Sequence, residues 1–398
     1  MPLECFDLLI ASRELVRASN PGFPAVHAAS NLDLVLGPLP IYLVSIYPPP
    51  PCGLDPVACD NAGAELVVAD AAGVPLAAVD FACFDGSLGM IQIPFDAGLA
   101  LSLQVVRFAC GGYSLTVGTN HLLADGRALV VLLNSLAEMV RTGGGLSRGP
   151  LIDRTALLVP RSPRRYSSWL DAEFARFTPE TMINPLLAAA MERRVYRIDA
   201  ADLVGSRRRR PPAAAAAPPG RRCIEPSEGA LDKYMGNVVT YTSPEASVAE
   251  LLRAPLHDVA AAAGAAMASV MTRDRFQELV DWVEVNKTAY KDGGKWTEAV
   301  NLGLGSPALV ISGMLPFAID GDLGFGKPRM VSPWLRHGRL GSASMMAVPC
   351  PSGDGSWFVG GTRLWPRLVE VIEAGPESLL KPLTAASLGF EAPHGSRL

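Results

Sequence analysis

The stretch Tyr113-Ser114-Leu115-Thr116-Val117-Gly118-Thr119-Asn120-His121-Leu122-Leu123-Ala124-Asp125-Gly126 decides the fold. Its first half alternates, so Tyr113, Leu115, Val117, Thr119 and His121 share one face of a half-buried strand. Beyond it Leu129, Leu132, Leu133, Leu136 and Val140 recur at helical spacing, and Gly143-Gly144-Gly145 closes the pattern as a C-terminal cap. Asp125 can cap the start of that helix, and Gly126 permits a backbone geometry that other residues resist. A single imidazole, His121, is thereby set at a strand-to-helix junction. A histidine merely satisfied at a strand end is the bland alternative, and H-x-x-x-D alone is a weak pattern.

Working outward, Ser102 to Cys110 forms a second strand, and Gly111-Gly112 can supply the positive φ of a two-residue hairpin that delivers His121. Further strands are expected at Leu8 to Val16, Ile41 to Tyr47, Glu65 to Ala69, Arg194 to Ile198, Leu309 to Phe317, Ala343 to Pro349 and Trp357 to Val359. Helices are expected at Val259 to Met271, around Phe276 to Val283, and at Leu364 to Ile372. Trp169, Phe174 and Met182 fall in a mixed helical region. From Gly205 to Arg222 four arginines, four prolines and five alanines leave almost nothing large to bury before a final arginine pair, as expected of a solvated linker. A nucleic-acid patch is the lesser alternative for this run. The division expected is an N-terminal domain over 1–204, a linker over 205–222 and a C-terminal domain over 223–398, both domains α/β.

The 398 residues suffice for two cores; 49% are hydrophobic, 19% charged, and the net charge is -4, so no general attraction to nucleic acid follows. Seven cysteines without a C-x-x-C pair suggest neither a disulfide framework nor a zinc cluster. Glu4 and Asp7 precede any apolar run, unlike a secretory signal, and the longest apolar window is broken by Asp33, Pro38 and Pro40. A cytoplasmic protein without a membrane anchor or bound metal is expected.

In the second half, Asp322-Leu323-Gly324-Phe325-Gly326-Lys327-Pro328 makes a tight glycine-bearing loop. With His121-x-x-x-Asp125-Gly126 it resembles the H-x-x-x-D-G and D-F-G-W-G-K-P signatures of the plant BAHD family of acyl-CoA-dependent acyltransferases. Ser30-Asn31-Leu32-Asp33, Tyr234-Met235-Gly236-Asn237, Phe276 to Glu284 and Lys381-Pro382 look like further landmarks, so the resemblance spans nearly the whole chain.

The resemblance implies two similar chloramphenicol-acetyltransferase-like sandwich domains with the active-site channel between them. It makes His121 the general base that deprotonates an acceptor hydroxyl or amine, with acyl-CoA as co-substrate, no bound cofactor and no metal. Asp125 and Gly126 would order the turn. Asp322, grouped with His121 in the catalytic set, would support the site from its loop together with Gly324, Phe325 and Gly326. Donor and acceptor are expected to be small molecules, the donor an aromatic acyl-CoA such as a hydroxycinnamoyl-CoA, and the protein a monomer.

Three departures stand out. Phe325 replaces a tryptophan whose indole N–H could donate to an oxyanion, leaving Thr119 or a backbone N–H to substitute. Leu315 stands where members using shikimate or quinate carry an arginine, and leucine cannot hold a carboxylate, so an uncharged alcohol or phenolic acceptor is expected. Tyr47 runs through prolines almost directly into Cys52, and Cys223 reaches Tyr234 in a few residues, so a helix is expected to be missing at each place. The alternative function is therefore a catalytically impaired descendant serving as a ligand-binding or regulatory protein. A condensation-type domain is a further alternative, but it usually carries a second histidine where Asn120 stands.

Overall fold

The computed structural model describes residues 5–16, 29–36, 40–49, 64–92, 99–154, 158–177, 191–203, 230–242, 244–288, 295–298, 309–314, 317–319, 321–335, 343–375 and 378–390. In chain order its elements are β1 (Leu9–Val16), α1 (Asn31–Leu36), β2 (Pro40–Tyr47), β3 (Ala64–Ala71), β4 (Leu101–Phe108), β5 (Tyr113–Asn120), α2 (Gly126–Thr142), α3 (Trp169–Glu173), β6 (Phe174–Phe177) and β7 (Tyr196–Ile198). The second half adds α4 (Val248–Arg253), α5 (Leu256–Val270), α6 (Arg273–Asn286), β8 (Lys295–Glu298), β9 (Leu309–Gly313), β10 (Met330–Leu335), β11 (Ala343–Pro349), β12 (Trp357–Arg363), α7 (Pro366–Ala374) and β13 (Lys381–Pro382).

A six-stranded sheet runs β1-β3-β4-β5-β2-β10, and a five-stranded sheet runs β13-β7-β12-β11-β9. Alternation along β3 and β4 buries one face of each, whereas β2, which lies between β5 and β10, is buried at nearly every position. Strand β10 comes from the second half of the chain and β7 from the first, so each sheet incorporates a strand from beyond the arginine-rich stretch. That stretch itself lies outside the described residues. One apolar core joins Leu43, Val117, Leu133, Met330 and Trp334 to Val348 and Phe358 of the other sheet. A second lies under α1 and α6, around Leu32, Phe276, Leu279 and Trp282.

The β4-β5 hairpin forms as expected, except that its connection is four residues long, Ala109 to Gly112. Gly111 takes φ 81°, and the Phe108 N–H bonds the Gly112 carbonyl. Helix α2 begins where Asp125 accepts from the Ala128 N–H and ends where Gly143 turns left-handed at φ 73°. Its Leu129 and Leu133 are buried, while Val140 is exposed at the last turn. Gly126 has no positive φ, contrary to expectation. Space is what it supplies, because a Cβ there would lie 3.1 Å from Sδ of Met314 in the second half. Met182, Cys52, Cys59 and Cys223 lie outside the described residues. So does most of the two places where helices were expected to be missing, 50–63 and 223–229.

Candidate active site

His121 follows the last residue of β5, in the short turn that leads into α2. The turn is pinned at several points. Asn120 accepts the Leu122 N–H on Oδ1 at 3.0 Å and the Leu123 N–H on its carbonyl at 2.8 Å, and Arg154 donates to the Leu123 carbonyl at 2.8 Å. The buried Asp125 carboxylate accepts from the Ala128 N–H at 2.9 Å on one oxygen and from the Val238 N–H at 3.0 Å on the other. It thereby ties the start of α2 to a segment contributed by the second half of the chain.

That segment also holds the histidine. Nδ1 of His121 is 3.1 Å from Oδ1 of Asn237, whose Nδ2 donates to the His121 carbonyl at 2.7 Å and to Oδ1 of Asp33 at 2.8 Å. The Asn237 N–H also bonds Asp33 Oδ1, at 2.9 Å. Asp33 is fully buried at the start of α1, where Ser30 donates its N–H and its hydroxyl to the other oxygen, each at 2.8 Å, and Arg154 approaches to 3.2 Å. Gly236 makes this approach possible, because a Cβ there would fall 1.9 Å from Arg154 Nη1.

Burial pushes the His121 imidazole below the ordinary histidine value, against the opposing pull of the Asp125 charge. Burial also pushes the Asp125 carboxyl up, against the N–H groups of Ala128 and Val238. A neutral imidazole near pH 7 with Nδ1 occupied is what a base acting through Nε2 requires.

The other expected residues lie elsewhere. Asp322 accepts the N–H groups of Gly324 and Gly326 on Oδ1, at 2.8 and 2.9 Å, and these donors hold its carboxyl below the usual range. The two glycines take φ 97° and 117°, as a tight loop requires. The Asp322 carbonyl accepts from the Arg141 guanidinium in the last turn of α2, and at ~1.5 Å per residue that is about 22 Å from the helix start. Phe325 packs edge-on against Tyr47 and Tyr113, ring centroids 6.1 and 5.5 Å away. Tyr113 opens β5, some 23 Å from its far end at ~3.3 Å per residue. The loop and His121 therefore occupy opposite ends of the β5-α2 unit, and the structure does not bring Asp322 to His121.

This corrects the expectation that Phe325 deprives the reaction of an oxyanion donor, since an indole at that position could not reach a carbonyl beside His121. Nor is Thr119 a substitute donor, because its hydroxyl donates to the Ala100 carbonyl at 2.6 Å. Leu315 lies outside the described residues, but its neighbour Met314 packs against Gly126 at the start of α2. Among the described residues no helix is long and apolar enough to cross a membrane.

Comparison with known proteins gives the same class. Residues 53–210 match the Transferase family. The chain is 26% identical over 347 residues to a shikimate O-hydroxycinnamoyltransferase of Nicotiana tabacum, covering 76% of each chain. In fold it is similar to vinorine synthase, with a TM-score of 0.58 at 16% identity, covering 94% of this chain and 99% of that one. It is also similar to the Fusarium graminearum protein TRI101 solved with coenzyme A and deoxynivalenol, with a TM-score of 0.62 at 12% identity, covering 88% of this chain and 97% of that one. The fold is the two-domain, chloramphenicol-acetyltransferase-like fold of these neighbours. The chain is similar to acyltransferases of the BAHD family.

Proposed function

We propose that this enzyme moves an aromatic acyl group, hydroxycinnamoyl or a close relative, from its CoA thioester to an uncharged alcohol or phenolic acceptor, with His121 as general base. The observation that carries the reading is the imidazole itself, half-buried, shifted toward its neutral form and held on Nδ1 by Asn237. Nε2 takes the acceptor proton as the acceptor oxygen attacks the thioester carbonyl. The tetrahedral intermediate then expels the CoA thiolate, to which the imidazolium returns the proton. CoA is already an activated leaving group, so the chain has to orient, deprotonate and exclude water.

The acceptor class rests on Leu315. The tobacco relative is named for shikimate, a carboxylate, and this chain lacks the arginine with which the resemblance associates such acceptors. Asp125 and Gly126 order the turn, and Asp322, Gly324, Phe325 and Gly326 shape the remote loop. The test is CoA release, followed as free thiol, with a panel of acyl-CoA donors against alcohols, phenols, amines, shikimate and quinate. Turnover with hydroxycinnamoyl-CoA and neutral acceptors that disappears in His121→Ala is expected. Preference for shikimate or quinate would overturn the acceptor assignment. No turnover from the folded protein with any pair would favour the ligand-binding alternative.

A further inference from the structure

We infer that Asn237, locked by Asp33, is a positioning residue that sets the tautomer of His121, placing the proton on Nδ1 and leaving the Nε2 lone pair as the base. The role of Nε2 rests on the proposed function; the tautomer itself follows from geometry alone.

The deduction starts at Asp33. Its carboxylate is surrounded by donors: the N–H and hydroxyl of Ser30, the N–H of Asn237 and the guanidinium of Arg154. An ionised carboxylate only accepts. The side-chain atom of Asn237 that lies 2.8 Å from it must therefore be the amide nitrogen. The same atom lies 2.7 Å from the His121 carbonyl, another pure acceptor. Turning the amide over would set oxygen against oxygen at both distances. With the nitrogen so fixed, the amide oxygen is what faces His121 at 3.1 Å, and an oxygen without a hydrogen can be paired there only by an N–H. Nδ1 must carry the proton. The chain of dependence thus runs from Arg154 and Ser30 through Asp33 and Asn237 to one ring nitrogen, and none of these four residues needs to touch substrate.

The test reads the tautomer directly. In protein labelled with nitrogen-15 at histidine, the two ring nitrogens give distinct shifts and couplings, and His121 is assigned by its disappearance in His121→Ala. The spectrum is taken above the imidazole pKa, with no substrate. The expected result is an Nδ1–H imidazole in the wild type and a mixed or Nε2–H imidazole in Asn237→Leu, which has similar bulk and no acceptor. The same variant should lower kcat by about 10- to 100-fold, a part of the ~10²–10⁴ a general base supplies, with KM within about threefold.

A wild-type imidazole protonated on Nε2, or an Asn237→Leu variant that keeps the Nδ1–H form, would overturn the inference. Absence of turnover in a wild type that shows the Nδ1–H form would instead sink the proposed function and leave the tautomer assignment standing.

Discussion

At the N-terminal end of α2, residues from three distant parts of the chain converge on a half-buried imidazole; at its C-terminal end, Arg141 meets a loop whose aspartate carboxylate accepts from the loop's own N–H groups. Both ends carry a stretch that resembles a family signature, yet they differ in what their acidic residues do. Asp125 and Asp33 are buried and hold other segments in place around His121. Asp322 binds the N–H groups two and four residues further on and closes its own turn. A carboxylate whose acceptor capacity is directed at its own loop has no reach toward an imidazole a helix length away. Proximity in a motif list is no guide to proximity in the fold.

That contrast can be broken most directly at His121. His121→Ala should lower kcat by ~10²–10⁴, the usual contribution of a general base, while leaving the melting temperature nearly unchanged; turnover surviving in the variant would remove the chemistry from this end of the helix. The pH profile is next. Burial lowers the His121 pKa, so the base form persists below the ordinary value of 6.5, and kcat/KM should hold as pH falls past 6.5 and then drop by about tenfold per unit below the folded pKa. An acid limb at or above 6.5 would mean that burial does not govern the imidazole.

Gly236→Ala sharpens the comparison through stability. The new methyl group has to displace Arg154 from Asp33 and from the Leu123 carbonyl, and a cost of about 2–3 kcal/mol is expected from a buried charge losing a partner, read by denaturant unfolding. At the other end, Asp322→Asn should cost about 1 kcal/mol, the scale of an exposed turn hydrogen bond, and leave kcat within about threefold; a collapse of kcat with stability intact would place Asp322 back in the chemistry. The smallest effect is expected from Phe325→Trp, which restores the indole of the family signature. A rate unchanged within about twofold fits a ring packed on Tyr47 and Tyr113, whereas a large gain would contradict its remoteness from His121.

Much of the His121 end is legible locally. Alternation along Tyr113 to His121, the Gly111 turn, the Asp125 cap and the Gly143 terminus are all consequences of neighbouring residues, and a sequence pattern records those well. Asn237 and Asp33 stand in stretches that resemble family landmarks, but their partnership with His121 joins residues 116 and 204 positions apart, and no periodicity encodes a pairing at that range. The same limit hid the place of β10 in the first sheet and the distance of Phe325 from the imidazole. Gly126 shows a subtler limit: its residue type suggests backbone freedom, whereas what it provides is room for Met314. A sequence can mark that a small residue is needed without saying what comes close to it.

The position of β10 bears on how the protein is made. Strand β2 is completed by β5 on one side soon after synthesis, but its other edge is covered only when Met330 to Leu335 has been translated, after more than four fifths of the chain. Until then a long apolar strand presents unpaired N–H and C=O groups, the template that invites pairing with another chain. A ribosome that stalls in the second half would therefore release a nascent sheet with a sticky border, and yield in the cell would depend on elongation speed and chaperone capture as well as on the stability of the finished enzyme.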